Sequence, residues 1–526
     1  MWTWGDGNDA GRRGAAASVR VPHPQRGRDP PWPPLDWPAV SAPAPASGAV
    51  PPDLLRAQQN AVVDMVSIDP VAEELAARFA EGGHRLYLVG GSVRDALLGR
   101  EGSDLDFTTD ARPEQILAVV RGWADAVWDT GIDFGTVGVR RRGTDLEITT
   151  FRADAYDRVS RNPVVRFGDA IEDDLVRRDF TVNAMAVELT GEQRRFVDPH
   201  GGLAALAAGT LDTPATPEES FADDPLRMLR AARFVSQLGL TPARRVLVAM
   251  TEMAGELARI TRERVQTELS KLLVGTHPRR AIELMVDSGL CEQVLPEVPA
   301  MRLAIDEHMQ HKDVYTHSLV VLEQAIGRET GGPDLVLRLA ALLHDIGKPD
   351  TRRKEPDGRV SFHHHEVVGA KMARRRLREL RYPKAVVDDV AQLVFLHLRF
   401  HGYSGGEWTD SAVRRYVADA GPLLDRLHKL VRSDCTTRNR RRAAALQRSY
   451  DSLEERIARL REQEALDAIR PDLDGNEIMR LLGLPPGPQV GKAYKHLLAV
   501  RMERGPLGRE EAEAELRRWA ADNGPA

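Results

Sequence analysis

The run at residues 85–109, RLYLVGGSVRDALLGREGSDLDFTT, constrains this chain more than any other. A short apolar stretch ends at Gly90-Gly91, a helical pattern starts at once, and a second extended stretch carries Asp104 and Asp106. Strand, glycine turn, helix and strand in that order predict an α/β unit, because each element needs a partner layer for its apolar face. Glycines let a backbone approach a phosphate, and a helix start offers free N–H groups; a tight turn alone would use the same two glycines. Asp104 and Asp106, at i and i+2 of a strand, point to one face. Adjacent carboxylates repel unless a cation joins them, and Mg²⁺ prefers carboxylate and phosphate oxygens. Such ions activate an attacking 3′-hydroxyl and stabilise a leaving pyrophosphate. A solvated strand end would also accommodate two acids.

The chain is 526 residues long, which at ~100–200 residues per domain means about three or four domains. Residues 1–66 are rich in Pro, Ala, Gly and Arg without apolar periodicity, so they read as a disordered extension, with Met65 a candidate natural start. Residues 67–200 alternate helix and strand patterns, including a hairpin in TVGVRRRGTDLEITTF, and 153–170 read as a mobile polar loop. Beyond about 218 the pattern is helical, in stretches we divide at 201–290, 291–450 and 451–526. A net charge of −5 does not mark a nucleic-acid binder, so an RNA surface must come from local clusters. Arg244, Arg245, Arg262, Arg264, Lys271, Arg279 and Arg280 supply cations for such a backbone contact, and each also fits an ordinary solvated charge. Cys291 and Cys435 form no C-x-x-C pair, which argues against a zinc ribbon or disulfide framework. No apolar run reaches the ~20 residues of a membrane span and no signal core is visible, so a cytoplasmic protein is expected.

Further polar clusters accompany the acids. Glu147 on the hairpin is either a third acid on their face or an exposed strand residue. In DDLVRRDFTVNAMAVEL, Arg177, Arg178, Asp179 and Asn183 precede a buried run; Arg178 suits a phosphate or ribose, and a helix-capping network is the other reading. FADDPLRMLRAARF reads as one helix with Asp224, Arg227, Arg230 and Arg233 three apart, near one face.

Taken in order, LVGGSVRDALLG, DLDFTT, RRDFTVNAMA and DPLRMLRAARF resemble the class II tRNA nucleotidyltransferase family, which includes CCA-adding enzymes and bacterial poly(A) polymerases. The likeness covers roughly residues 70–285 and continues more faintly to the C-terminus. It implies an α+β chain: a polymerase-β-like nucleotidyltransferase head with a mixed sheet, then several all-α domains. It implies Mg²⁺ on Asp104 and Asp106, a nucleotide held by Gly90, Gly91, Arg94, Arg178, Asp179, Asn183, Arg230 and Arg233, and tRNA, CTP and ATP as partners, with no membrane and no DNA. The family's Glu-Asp-x-x-Arg base template falls on Asp223, Asp224 and Arg227, with Asp223 in place of the usual Glu. The chemistry is consistent. Cytosine and adenine both show an amino donor beside a ring-nitrogen acceptor, which a carboxylate and a guanidinium satisfy; uracil and guanine reverse the pattern.

A second constellation lies downstream. His317 in VYTHSLVVL, His344-Asp345 in ALLHDIGKPD and Asp434 in VRSDCTTR are spaced along helices, with His363, His364 and His365 in FHHHEVVGA and His397 in VFLHLRFH. Histidine with carboxylate suits a transition or mixed metal. The set resembles an HD phosphohydrolase domain: His317, His344, Asp345 and Asp434 would hold a divalent metal, with His365 and His397 at the positions of a second ion. In the tail, Gly475, Gly483, Gly487 and Gly491 separate apolar helical runs, with Lys492 and Lys495 beside the last; a helix N-terminus facing RNA phosphate and a helix–turn–helix packing unit are both compatible. The Arg438–Arg442 cluster is either an RNA contact or a solvated connector. Alternatives to CCA addition are a poly(A) polymerase, an A- or CC-adding specialist, an HD-centred hydrolase and a non-catalytic RNA-binding module.

Overall fold

The computed structural model describes residues 68–523 except 101–103, 153–166, 303–312, 359, 401–407, 437–438 and 465–469, together with 62, 63 and 66. Met65, most of the predicted extension, most of the predicted 153–170 loop and Arg438 lie outside the described residues.

Helix α1 (Pro70–Glu81) begins with a proline that needs no N–H partner and an Asp69 carboxylate accepting the Val71 N–H. The chain then runs through β1 (Leu86–Val89), α2 (Gly91–Leu97), β2 (Asp104–Thr109), α3 (Pro113–Val120), β3 (Ala126–Trp128), β4 (Thr136–Arg141) and β5 (Thr144–Thr150). After α4 (Ile171–Val176) come β6 (Ala186–Glu188) and β7 (Arg195–Val197). The seven strands form one mixed sheet in the order β3-β4-β5-β2-β1-β6-β7. β2 and β5 pair in parallel and every other neighbour pair is antiparallel.

Strand periodicity divides the sheet into two faces. Phe107, Val137, Val139, Leu146 and Ile148 are buried and pack against Leu75 and Phe79 of α1 and Ile116 and Val120 of α3. On the other face, Tyr87 and Val89 of β1 are covered by Phe151 and by Ile171 and Leu175 of α4. Glu147 is exposed and Asp106 half-buried, so the β2–β5 part of this face stays open. The mixed-sheet head is as the sequence predicts.

The predicted single helix through FADDPLRMLRAARF is instead two. α5 (Pro217–Asp223) ends at Asp224, which is extended at φ −141° and ψ 98°, and α6 (Leu226–Leu238) starts after Pro225. The proline ring disfavours helical backbone at the residue before it. Asp224 therefore stands at a corner ahead of the helix that carries Arg227, Arg230 and Arg233.

From α6 onward the protein is nearly all helix. Leu229, Ala232 and Phe234 of α6 join α7 (Arg262–Leu273) and α8 (Pro278–Asp287) in a core that continues to Leu460. Five helices or helix ends matter for the second site: α9 (Val314–Ile326), α10 (Leu335–Leu343), α11 (His365–Glu379), α12 (Lys384–Leu396) and α13 (Leu424–Asp434). Helix Arg440–Glu464 runs across position 450, where the sequence was divided, and its Leu453, Ile457 and Leu460 belong to the same core. The tail has a small core of its own, built by Leu473, Ile478, Leu497 and Leu516. Its helix Pro488–Arg504 starts at Gly487, which puts Gly491 inside the first turn. Among the described residues no helix is long and apolar enough to cross a membrane.

The two faces of β5 predict opposite responses. Ile148→Ala removes a fully buried side chain and is expected to cost about 3 kcal/mol. Glu147→Gln, on the open face, is expected to leave the thermal midpoint within a degree or two; circular dichroism melts of both variants check this.

Candidate active site

Gly90 links β1 to α2 with φ +70°, a conformation costly for any residue with a Cβ. Space forbids one as well: a methyl group there would lie 2.8 Å from Arg178 Nη1 and 3.8 Å from Asp106 Oδ2. A guanidinium and a carboxylate thus converge over this turn. Arg178 is held by Asp174, 3.1 Å from its Nη2, while its buried Nε has no hydrogen-bond partner among the described residues. Such a half-satisfied cation suits an incoming anion.

Asp106 lies beside Glu147 in the β2–β5 register, and Asp104 lies beside Asp145. Neighbours in register share a face, so Glu147 stands with Asp106. Asp104 opens β2, but its side chain lies outside the described residues. Asp145 is engaged by Arg140 at 2.6 and 2.8 Å. Carboxylate oxygens on an open strand face are a donor set that fits Mg²⁺.

Behind this strip lies a buried polar chain. Arg94 donates from Nη1 to Asn183 Oδ1, and Asn183 Nδ2 donates to Asp179 Oδ1 at 2.9 Å. Asp179 Oδ2 accepts from Arg230 Nε at 2.8 Å. Arg230 and Arg233 both approach Glu268, at 3.7 and 2.8 Å. Burial pushes the Asp179 carboxyl up, but the Arg230 charge and the Asn183 hydrogen bond outweigh it and hold it at about 2. Arg94, Asn183, Asp179 and Arg230 are thus joined in one hydrogen-bonded chain, with Arg233 paired to Glu268 beside it.

The two base-template candidates are each anchored. Asp224 Oδ1 accepts from Leu226 N at 3.1 Å and Oδ2 from Arg264 Nη2 at 2.7 Å. Arg227 donates to Ser220 Oγ at 2.8 Å and to Arg177 O at 2.6 Å. Each carboxylate oxygen keeps a lone pair and the guanidinium keeps N–H groups, so both retain capacity for a ligand. Asp223 is the last residue of α5. Of the cations read as RNA contacts, Arg245 pairs with Asp212, Arg264 with Asp224 and Arg279 with Glu283 and Glu323. Arg280 donates to Gly239 O, while Arg244, Arg262 and Lys271 are exposed.

The downstream site is assembled from helix ends. His317 sits in the first turn of α9, His344 and Asp345 follow α10, His365 opens α11, His397 follows α12 and Asp434 ends α13. His317, His344 and Asp434 form one cluster, and Asp345, His365 and His397 a second. Asp345 joins them: Oδ2 lies 3.2 Å from His344 Nε2, and Oδ1 lies 3.3 Å from His365 Nε2 and 3.9 Å from His397 Nε2. The Nδ1 atoms of His344, His365 and His397 donate to the carbonyls of Ala341, Phe362 and Val394, three residues back. Those bonds aim every Nε2 inward, as metal-binding histidines require. Asp345 Oδ1, His365 Nε2 and His397 Nε2 are buried with no hydrogen-bond partner among the described residues. Three orphaned ligand atoms at one point fit a divalent cation.

Burial pushes the His344 imidazole down, but Asp345 and Asp434 outweigh it and raise it to about 10, whereas burial and the His344 charge push His397 down to about 3. His363 and His364 are exposed, away from the ligand set. Lys348 escaped the sequence reading although its spacing offered a signal: it lies one helical turn after Asp345 and donates to Oδ2 at 2.6 Å. Asp174, one helical turn before Arg178, offered the same kind of signal, whereas Glu268, which faces Arg230 and Arg233 of α6, carried none.

Three family models match in order. They are "Poly A polymerase head domain" over residues 86–212, "Probable RNA and SrmB- binding site of polymerase A" over 239–301 and "HD domain" over 314–460. An A-adding tRNA nucleotidyltransferase of Deinococcus radiodurans is 36% identical over 444 residues, 83% of this chain and 95% of that protein. A CCA-adding enzyme of Anoxybacillus flavithermus is 30% identical over 447 residues, 84% of this chain and 94% of that protein. Among solved structures, the Bacillus stearothermophilus CCA-adding enzyme in complex with CTP superposes with a TM-score of 0.62 at 26% identity, over 86% of this chain and 99% of that one. The Thermotoga maritima CCA-adding enzyme shares the fold, with a TM-score of 0.56 at 18% identity over 87% and 98% of the two chains.

Asp179→Asn should break the buried pair and cost about 3 kcal/mol near neutral pH. A depressed carboxyl stabilises above its unfolded pKa near 4 and loses that contribution as pH falls toward 2. Thermal melts across this range should therefore show the gap between wild type and variant narrowing with acid.

Proposed function

Because this chain belongs to the class II tRNA nucleotidyltransferase family, with its polymerase head, RNA-binding and HD domains, we propose that it adds CMP and AMP to complete the CCA end of tRNA. Nucleotidyl transfer at a tRNA 3′ end is the activity common to these relatives. The observation that carries the finer reading is the pair Asp224 and Arg227, both anchored yet with hydrogen-bonding capacity left over. One such pair accepts the amino group and ring nitrogen of cytosine and of adenine alike, and leaves uracil or guanine facing mismatched groups.

In this reading the triphosphate lies along Gly90 and Gly91, with Arg178 above it and Arg94 supporting the turn from within. Asp104 and Asp106 would hold Mg²⁺, which would supply charge neutralisation at the α-phosphate and a more acidic 3′-hydroxyl. Glu147 adds negative charge at the same face. Asp179 and Asn183 act through Arg230 and Arg94, fixing the turn and α6 relative to each other. Arg244, Arg262 and Lys271 are available for RNA phosphates. Asp106→Ala should lower transfer at least 100-fold while the fold is retained; full activity in that variant, or in Asp104→Ala, would exclude this site.

A second specificity is favoured by one finding: the A-adding relative is 36% identical along nearly its whole length. Incubation with tRNA ending at the discriminator base and with tRNA ending in CC separates the two. A CCA-adding protein extends both, using CTP and ATP on the first; an A-adding one extends only the second. Neither uses UTP or GTP, and long A tails would instead mark a poly(A) polymerase.

We also propose that the HD domain hydrolyses phosphate esters, and that His317, His344 and Asp434 would hold one divalent ion and Asp345, His365 and His397 a second. Bound metals would supply an activated water; Lys348 holds the Asp345 carboxylate. Elemental analysis should find two ions per chain in this domain and one fewer in His397→Ala, and His344→Ala should abolish phosphate release from cyclic or 2′-phosphorylated nucleotides.

A further inference from the structure

Trp128 ends β3, the edge strand of the head sheet. In register it faces Gly138 of β4, Gly138 faces Glu147 of β5, and Glu147 lies beside Asp106 of β2. Directly opposed residues share a face, so the indole stands on the same open face as the two acids. It also fills the space above Gly138: an ideal Cβ there would be 1.9 Å from Trp128 Nε1 and 2.0 Å from Cε2. Only a glycine leaves that room, and it lets the ring lean from the sheet edge toward β5. The neighbours Val137 and Val139 point the other way, into the core.

The ring has no structural task in sight. Trp123 donates to Glu74 and lies beneath Arg141, as a packed tryptophan normally finds a partner. Trp128 is half-buried and makes no hydrogen bond or ring contact among the described residues. The indole lies against Gly138 and is otherwise partly exposed.

We infer that Trp128 is a stacking platform for the terminal base of the acceptor RNA. The inference rests on the proposed transferase site. In-line transfer puts the attacking hydroxyl and the leaving pyrophosphate on opposite sides of the α-phosphorus. Gly90 and Arg178 take the triphosphate on the β1 side of the acids, so the acceptor arrives over β5, β4 and β3. At ~4.8 Å per strand, an indole lying over β4 is about 10 Å from β2, the span of one nucleotide. The terminal base of the acceptor changes with each nucleotide added. An aromatic face suits that task because every base has a π-surface and none needs specific hydrogen bonds.

The test compares Trp128→Ala, Trp128→Phe and Gly138→Val in steady-state transfer with full-length protein, tRNA and CTP or ATP. Trp128→Ala should lower kcat/KM for the tRNA about tenfold with KM for the nucleotide unchanged, and Trp128→Phe should restore most of it. Gly138→Val, which displaces the ring but keeps it, should behave like the alanine variant. Tryptophan fluorescence should be quenched when tRNA is added to wild type, and less so in Trp128→Phe. Unchanged acceptor kinetics in a folded Trp128→Ala protein, a rise in nucleotide KM instead, or equal quenching without Trp128 would each overturn the proposal. Asp106→Ala, run alongside, separates the two readings: if it is inactive while Trp128→Ala is normal, only the platform fails, and if it is fully active the site assignment fails first.

Discussion

The ion pair between Asp179 and Arg230 ties the head to the helices. Asp179 follows α4 in the α/β unit and Arg230 belongs to α6, so the contact fixes the open face of the sheet relative to the corner bearing Asp224 and Arg227. Burial opposes both charges, and each is retained because the other offsets the desolvation. The pair does not stand alone. Asn183 links it to Arg94 below the Gly90 turn, and Glu268 of α7 links it to Arg233. A nucleotide spanning the turn and the template corner would meet two surfaces held at fixed spacing by this chain of bonds.

The HD site uses a different device. Its histidines and aspartates come from the ends of five helices, where chain direction changes and side chains converge. Backbone carbonyls three residues upstream orient three of the imidazoles, so the ring geometry is set by local helix structure. The single carboxylate of Asp345 serves both ligand groups through its two oxygens, which makes this residue the joint of the site. Burial lowers both imidazoles, but the Asp345 and Asp434 carboxylates beside His344 outweigh it and shift that imidazole up, whereas for His397 the charge of His344 adds to burial and shifts it down.

Much of this was legible in the chain itself. Local pattern gave the strand–glycine–helix–strand start, the hairpin and the ordered acids, because these depend on neighbours a few residues apart. The histidines and aspartates of the HD cluster were legible as residue types at helix-compatible spacings. The three-residue spacing of Asp224, Arg227, Arg230 and Arg233 suggests one helix through FADDPLRMLRAARF, but Pro225 breaks it, because its steric effect falls on Asp224. The partners of Arg233 and Asp224 were not legible: Glu268 and Arg264 sit on a helix dozens of residues away, and their charges look like any solvated face.

Sequence by itself therefore determined which chemistry is available: paired acids on a strand, a carboxylate and a guanidinium three residues apart, histidines and aspartates at helix ends. These are properties of residue type and short spacing. Tertiary structure alone decided which of these groups are free to act. It placed Glu147 beside Asp106 through a parallel pairing that no local pattern encodes, and it left the open face uncovered. It consumed Asp179, Asn183 and Arg230 in one buried network, and it brought His317 and Asp434 within hydrogen-bond distance across more than a hundred residues of chain. The reason is physical: whether a polar group binds a ligand or a neighbour depends on what shares its space, and that is set by packing between segments far apart in the chain.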